Sequence, residues 1–363
     1  MKVIDLDDPE VFLHFDPSGM RHRLRGLPDQ CRKGWSIQPS PPLPSGYRQI
    51  ERVLVLGIGG SAIVGDCFGD LMARVGGPTV EVYRDLSFSP SLDNRTLVVA
   101  SSYSGNTQET LAAYRKASAS QARRLALTSG GKLKALAEKD GIPLCTLDLV
   151  SESRGALGFG LFALLSCIDS LGLVPDISED IEEAVALMEG LVEELQETQP
   201  LKENRAKMLA WQLFEHLIVV YGSDIFSSIA RRWKTQFNEN SKAWAFYEVL
   251  PEAGHNAVEG LERPGVISDH TQVLLLCSSA LDEDLKSGYD AVEKLLQRAN
   301  VVNSRIEARG QGPLSQMMSL MILGDYTSYY LGILYGADPS PVPWIRSYKE
   351  RQGRPFHQGS PGE

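Results

Sequence analysis

Two hydrophobic patterns alternate along the first part of this chain. Short apolar runs, several rich in β-branched residues, occur at Arg52–Leu56, Thr79–Tyr83, Thr96–Ala100, Arg124–Thr128 and Pro143–Leu147, and they read as buried strands. Between them, Ile63–Val75 and Leu111–Ala119 carry apolar residues at helical spacing. Strands alternating with helices over about 100 residues predict a parallel sheet with helices on both faces.

The pattern then repeats in outline. A short helix is expected over Val11–Leu27, followed by a Pro/Ser/Gly-rich connector over Pro39–Tyr47. Gly155–Leu173 reads as a buried helix. Asp176–Thr198 mixes acids with Ile, Val, Leu and Met at helical spacing and is stopped by Pro200. Beyond it, His216–Ser223 reads as strand and turn, Ile225–Trp244 as one helix or two, Gln272–Cys277 as a core strand, Asp282–Arg298 as a helix, Ser304–Ala308 as a strand and Pro313–Tyr335 as a long apolar helix. The fold class expected is α/β, with two doubly wound parallel-sheet subdomains, each an α-β-α sandwich. The boundaries expected are an N-terminal helical segment and connector (1–48), a first domain (49–175), a linker helix (176–200), a second domain (201–350) and a mobile tail (351–363). Met317, Met318 and Met321 are expected in the core or at a dimer surface, and Trp233 and Trp244 are expected to pack around the segment between them.

Composition narrows the partners. The 363 residues include 36 Lys and Arg against 46 Asp and Glu, a formal net charge of -10, so no general attraction to nucleic acid or an anionic membrane follows. An anionic ligand must therefore be held by local donors. Cys31, Cys67, Cys145, Cys167 and Cys277 are scattered without a CxxC pair, as expected for reduced core thiols of a cytoplasmic protein. The first residues are too acidic for a signal peptide, and no apolar run approaches the roughly 18 residues of a membrane span.

The candidate chemistry lies where strands end. After Thr96–Ala100 comes Ser101-Ser102-Tyr103-Ser104-Gly105-Asn106-Thr107-Gln108-Glu109-Thr110, which opens a helix. Free N–H groups, a positive dipole end and several hydroxyls suit a phosphate monoester. One hydroxyl there would be an ordinary N-cap, but Ser102, Ser104 and Thr107 exceed what capping needs. After Arg52–Leu56 comes Gly57-Ile58-Gly59-Gly60-Ser61-Ala62, which also fits a dinucleotide fingerprint, with Asp85 beyond the next strand. Asp85 lies later than the roughly 20 residues that fingerprint expects, and a second phosphate-like loop follows, so a sugar phosphate is the better reading.

These residues carry a resemblance. The Gly57–Ser61 and Ser102–Thr110 segments resemble the sugar isomerase (SIS) domain. Further segments follow in the order seen in bifunctional phosphoglucose/phosphomannose isomerases: Asp16-Pro17-Ser18-Gly19-Met20, Ser153-Arg154-Gly155-Ala156-Leu157-Gly158, Gln236-Phe237-Asn238-Glu239-Asn240-Ser241-Lys242, Glu252-Ala253-Gly254-His255-Asn256 and Asp338-Pro339-Ser340-Pro341-Val342. The resemblance covers nearly the whole chain. It departs at Ser340, where Thr is more usual, and at Ala253-Gly254, where Leu-Asn or similar is common.

The resemblance implies SIS-type subdomains and interconversion of glucose 6-phosphate and mannose 6-phosphate with fructose 6-phosphate through a cis-enediol, with no redox cofactor and no metal. Gly60, Ser61, Ser102, Ser104 and Thr107 would hold the phosphate. Glu239, between two amides that could orient its carboxylate, would carry the proton between C1 and C2. His255 would open the sugar ring from the neighbouring subunit of a homodimer, assisted by Lys349 at the ring oxygen. Arg154, always charged and a multiple donor, would stabilise the enediolate. The partners implied are a small sugar phosphate and a second copy of the chain, with neither nucleic acid nor membrane. A non-catalytic sugar-phosphate sensor and a nicotinamide enzyme using the Gly57 loop remain as alternatives.

Overall fold

The computed structural model describes residues 4–85, 91–149 and 151–353. The expected mobile tail falls from residue 354 onward outside the described residues. Where one helix is expected over Val11–Leu27, two form, α1 (Pro9–Phe15) and α2 (Met20–Arg25), and α3 (Leu27–Trp35) follows them. The break between the first two is Asp16-Pro17-Ser18-Gly19, in which Gly19 adopts φ +68°. Asp16 then accepts from the Met20 and Arg21 amides at 2.6 and 3.0 Å and so satisfies donors that a helix start leaves free.

The chain divides into two units. One comprises Gly26–Glu179 and the chain from Pro343 onward; the other comprises the residues up to Arg25 and Asp180–Val342. The first contains β1 (Arg52–Leu56), α4 (Gly60–Val75), β2 (Thr79–Tyr83), β3 (Thr96–Ser101), α5 (Gln108–Ala117), β4 (Arg123–Thr128), α6 (Gly131–Asp140), β5 (Leu144–Thr146) and α7 (Leu157–Ser170). Its five strands are all parallel, in the order β2-β1-β3-β4-β5. Alternation along the strands sorts the faces. Leu54, Leu56, Val98, Ala100 and Ala126 pack against α5 and α6, whereas α4 and α7 cover the side of Val55 and Leu127. β3 is buried at every position, which is why its sequence is a continuous apolar run.

On this unit, Asp140 Oδ2 accepts from Tyr114 Oη at 2.8 Å and from Arg124 at 2.5 Å. The Tyr114 hydrogen bond, helped by the Arg124 guanidinium, holds the Asp140 carboxyl below the usual carboxylate range. A depressed folded value gives stability that is present above the unfolded value and lost as pH falls through the folded one. The urea midpoint of the wild type should therefore exceed that of Asp140→Asn at neutral pH. The gap should shrink once the pH drops below about 4.

The second unit adds α8 (Ser178–Leu195), α9 (Arg205–Leu213), β6 (Leu217–Gly222), α10 (Ser227–Glu239), β7 (Ala245–Val249), α11 (Gly265–Ser268), β8 (Thr271–Cys277), α12 (Glu283–Arg298), β9 (Val302–Glu307) and α13 (Pro313–Leu334). Its sheet is again parallel, ordered β7-β6-β8-β9. β7 has no counterpart in the sequence reading, which extends helix to Trp244. It is an edge strand with only Ala245 buried, so it lacks the apolar signature of β8. Trp233 is fully buried and donates from Nε1 to the Leu320 carbonyl at 2.8 Å, but Trp244 is exposed and does not pack as expected. Met317, Met318 and Met321 are fully buried in α13.

The N-terminal segment is held on this second unit. Buried Lys207 donates from Nζ to the carbonyls of Leu6, Glu197 and Gln199, and Tyr329 donates from Oη to Asp16 at 3.2 Å. A last helix, α14 (Pro343–Arg351), has no buried residue. All five cysteines are free and buried, and no helix among the described residues is long and apolar enough to cross a membrane.

Candidate active site

In the strand order β2-β1-β3-β4-β5, the connections from β1 and β3 leave toward opposite neighbours. The crevice for a ligand in such a sheet lies at their carboxyl ends. Both hydroxyl- and glycine-rich loops are there. Gly57-Ile58-Gly59 leads from β1 to α4, and Ser102–Thr107 leads from β3 to α5. Two helix N-termini thus open beside the same pair of adjacent strands. α4 begins after Gly59, at φ +59°, which has no side chain to cap it. α5 begins after Thr107, whose side chain makes no cap to a helix N–H.

The hydroxyls are held in a network. Ser102 Oγ donates to Thr107 Oγ1 at 2.9 Å, Ser61 Oγ accepts from the Tyr103 amide at 3.3 Å, and Ser104 Oγ accepts from the Asn106 amide at 3.3 Å. Ser61 and Ser102 are buried, and Ser104 and Thr107 are half-buried. A third loop, overlooked at sequence level, supports them: Ser129 and Thr128 both donate from their hydroxyls to the Tyr103 carbonyl, at 2.7 and 3.4 Å. A Ser-Gly-Gly run after a strand was the available signal.

Arg154 is brought to this region by packing. A Cβ on Gly60 would lie 2.8 Å from the Ser153 carbonyl oxygen, so only glycine lets the turn Ser153–Ala156 meet the start of α4. Tyr103 fixes the approach to that turn by donating from Oη to the Leu149 carbonyl and accepting from the Ser151 amide. Burial pushes the Tyr103 phenol up, so it stays a protonated donor. Arg154 itself is buried.

The remaining predicted residues lie elsewhere on the chain. Glu239 is the last residue of α10 and half-buried. Its flanking amides act on the turn: Asn238 donates to the Ala243 carbonyl at 2.9 Å and Asn240 to Ser328 Oγ at 3.0 Å. His255 ends the turn Glu252–His255 after β7 and is exposed. Lys349 is half-buried on α14. By unit, Gly60, Ser61, Ser102, Ser104, Thr107, Arg154 and Lys349 fall in the five-stranded one, and Glu239 and His255 in the four-stranded one. A cavity of about 650 Å³ in the latter, walled by Phe12, Leu13, Arg21, Glu197 and Lys207, includes none of the predicted residues.

Comparison with known proteins decides the family. A bifunctional phosphoglucose/phosphomannose isomerase of Caldicellulosiruptor bescii is 36% identical over 333 residues, 92% of this chain and 98% of the relative. This chain belongs to the bifunctional phosphoglucose/phosphomannose isomerase family. A family member from Aquifex aeolicus is 32% identical over 299 residues, spanning 82% of this chain and 89% of its own length. The SIS domain family matches residues 46–147, and the bacterial phospho-glucose isomerase C-terminal SIS domain matches residues 202–351. A crystal structure of a glucose-6-phosphate isomerase like protein from Thermus thermophilus superposes with a TM-score of 0.65 at 20% identity, over 93% of this chain and 98% of that one. At that identity the likeness shows the fold. Both parallel sheets thus belong to SIS domains of this isomerase family.

Proposed function

We infer that this chain is an aldose–ketose isomerase that interconverts glucose 6-phosphate and mannose 6-phosphate with fructose 6-phosphate. The observation that carries the reading is the pair of uncapped helix starts with clustered hydroxyls at the ends of β1 and β3. Backbone N–H groups of α4 and α5, with Ser61, Ser102, Ser104 and Thr107, take the phosphate dianion, and Gly60 keeps the backbone accessible.

The chemistry then needs no electron acceptor. The Glu239 carboxylate removes the C2 proton of the open-chain aldose, the electron pair forms C1=C2, and O1 is protonated to give the cis-enediol. The same carboxyl returns the proton to C1 while O2 gives up its own, leaving the ketose. Arg154 stabilises the negative charge on the enediolate oxygens. His255 donates and accepts the proton of ring opening, with Lys349 at the ring oxygen.

The enzyme works as a cytoplasmic homodimer in glycolysis and gluconeogenesis, His255 serving the site of the second copy. Its exposure supports this, as does the exposed apolar surface of the same unit at Trp244, Phe246, Val266 and Ile267. The test is a coupled assay on each hexose phosphate. Turnover of both is expected, and binding without turnover would favour a sensor. In the same assay, mixing inactive Glu239→Gln and His255→Ala proteins should restore part of the activity. No recovery after subunit exchange would place His255 in its own subunit's site.

A further inference from the structure

Lys242 stands three residues after Glu239, in a backbone conformation that side chains avoid. Its φ is +59°, two residues beyond the Asn240 cap of α10, in the left-handed region that glycine and asparagine adopt most readily. Any other residue there costs roughly 1–2 kcal/mol. Glycine would remove that cost, so the side chain must supply something.

Its ammonium donates to three backbone carbonyls: Glu239 at 2.5 Å, Pro341 at 2.7 Å and Pro339 at 3.0 Å. The last two bracket Ser340, which is 3% exposed. The Ser340 hydroxyl accepts from the Arg23 guanidinium at 2.8 Å, and its amide donates to Asp338 Oδ1 at 2.9 Å. Pro339, Pro341 and Pro343 have no N–H, so this loop offers acceptors in excess of donors. A compact ammonium with three rotatable N–H donors matches that need where a planar guanidinium does not. The Glu239 turn is already tied to α13, through Asn240 to Ser328 Oγ and Ser241 Oγ to the Ser328 carbonyl. Lys242 adds the tie to the Ser340 loop, which leads after Val342 into α14.

We propose that Lys242 is a positioning residue for the isomerisation, its ammonium setting the Glu239 turn against the Ser340 loop. The proposal rests on the reading of Glu239 as the proton carrier. A carboxylate misplaced by about 1 Å can lose about 10²-fold in rate. The effect belongs in kcat, because the phosphate-binding groups are on other residues.

The experiment compares Lys242→Gly, Lys242→Met and Lys242→Cys with Glu239→Gln, using kcat, KM and thermal midpoints. Lys242→Gly should melt no lower than the wild type, since glycine tolerates the positive φ. Its kcat, and that of Lys242→Met, should fall about 10–100-fold with KM within about threefold. Treating the Lys242→Cys protein with 2-bromoethylamine forms a thioether that restores an ammonium at nearly the lysine distance. The five native cysteines are buried and Lys242 is exposed. Most of the lost kcat should return. Wild-type kcat in Lys242→Gly and Lys242→Met beside an inactive Glu239→Gln overturns the proposal, and so does a loss that aminoethylation leaves unrepaired. An active Glu239→Gln removes the prior reading instead, whatever the Lys242 proteins do.

Discussion

Glu239→Gln is expected to lower kcat on fructose 6-phosphate by about 10²–10⁴-fold while KM changes little. The substitution keeps the size and hydrogen-bonding reach of the side chain but removes the site that accepts a proton. The backbone beneath it should not move, because Asn238, Asn240 and Ser241 hold the turn through Ala243 and Ser328. The proposed phosphate-binding groups are on the loops after β1 and β3, so affinity should survive. Deuterium exchange into fructose 6-phosphate in heavy water gives an independent readout. It should slow with kcat, since exchange at C1 needs the same base. A Glu239→Gln protein that turns over and exchanges at the wild-type rate would remove this carboxylate from the mechanism.

The largest loss of stability is expected from Asp325→Ala. Asp325 is on α13, where it receives Arg232 Nε at 3.1 Å, Arg232 Nη2 at 2.6 Å and Gln236 Nε2 at 3.0 Å. The Arg232 and Asp325 side chains are 2% and 4% exposed. Two charges out of water roughly offset their attraction by the cost of losing hydration, so the pair itself adds little net stability. Removing one partner is different, because the guanidinium is left buried without its counter-charge. That costs about 3–5 kcal/mol, or roughly 6–20 °C in thermal midpoint at 2–4 °C per kcal/mol. The paired replacement Arg232→Met with Asp325→Leu should recover most of the loss. Equal melting of Asp325→Ala and the wild type would show that Arg232 finds another partner.

Sequence pattern revealed those elements whose environment is uniform. β3 and β8 are enclosed along their whole length, so each reads as an unbroken apolar stretch. The hydroxyl-rich loop after β3 was legible because several hydroxyls follow a strand where one would suffice for capping. β7 was hidden because an edge strand has little to bury, and the flanking Trp244 suggested a buried helix where the structure exposes the indole. α14 was missed because it has no buried face to create periodicity. The Lys242 contacts left no trace in the sequence. Three of them go to backbone carbonyls, two of these nearly a hundred residues away, and a carbonyl has no residue-specific signature.

The route of the chain between its two units bears on how the protein emerges from the ribosome. Residues 26–179 supply all five strands of one sheet in a continuous stretch, so that sheet can close as soon as it is made. α1 and α2 precede that stretch in the chain yet belong with the other sheet, where Phe12 faces Tyr329 with ring centres 6.2 Å apart and Asp16 receives the Tyr329 hydroxyl. These two helices must therefore wait, without their final partners, until α13 has been translated. A nascent chain stalled before α13 should present them to chaperones and proteases.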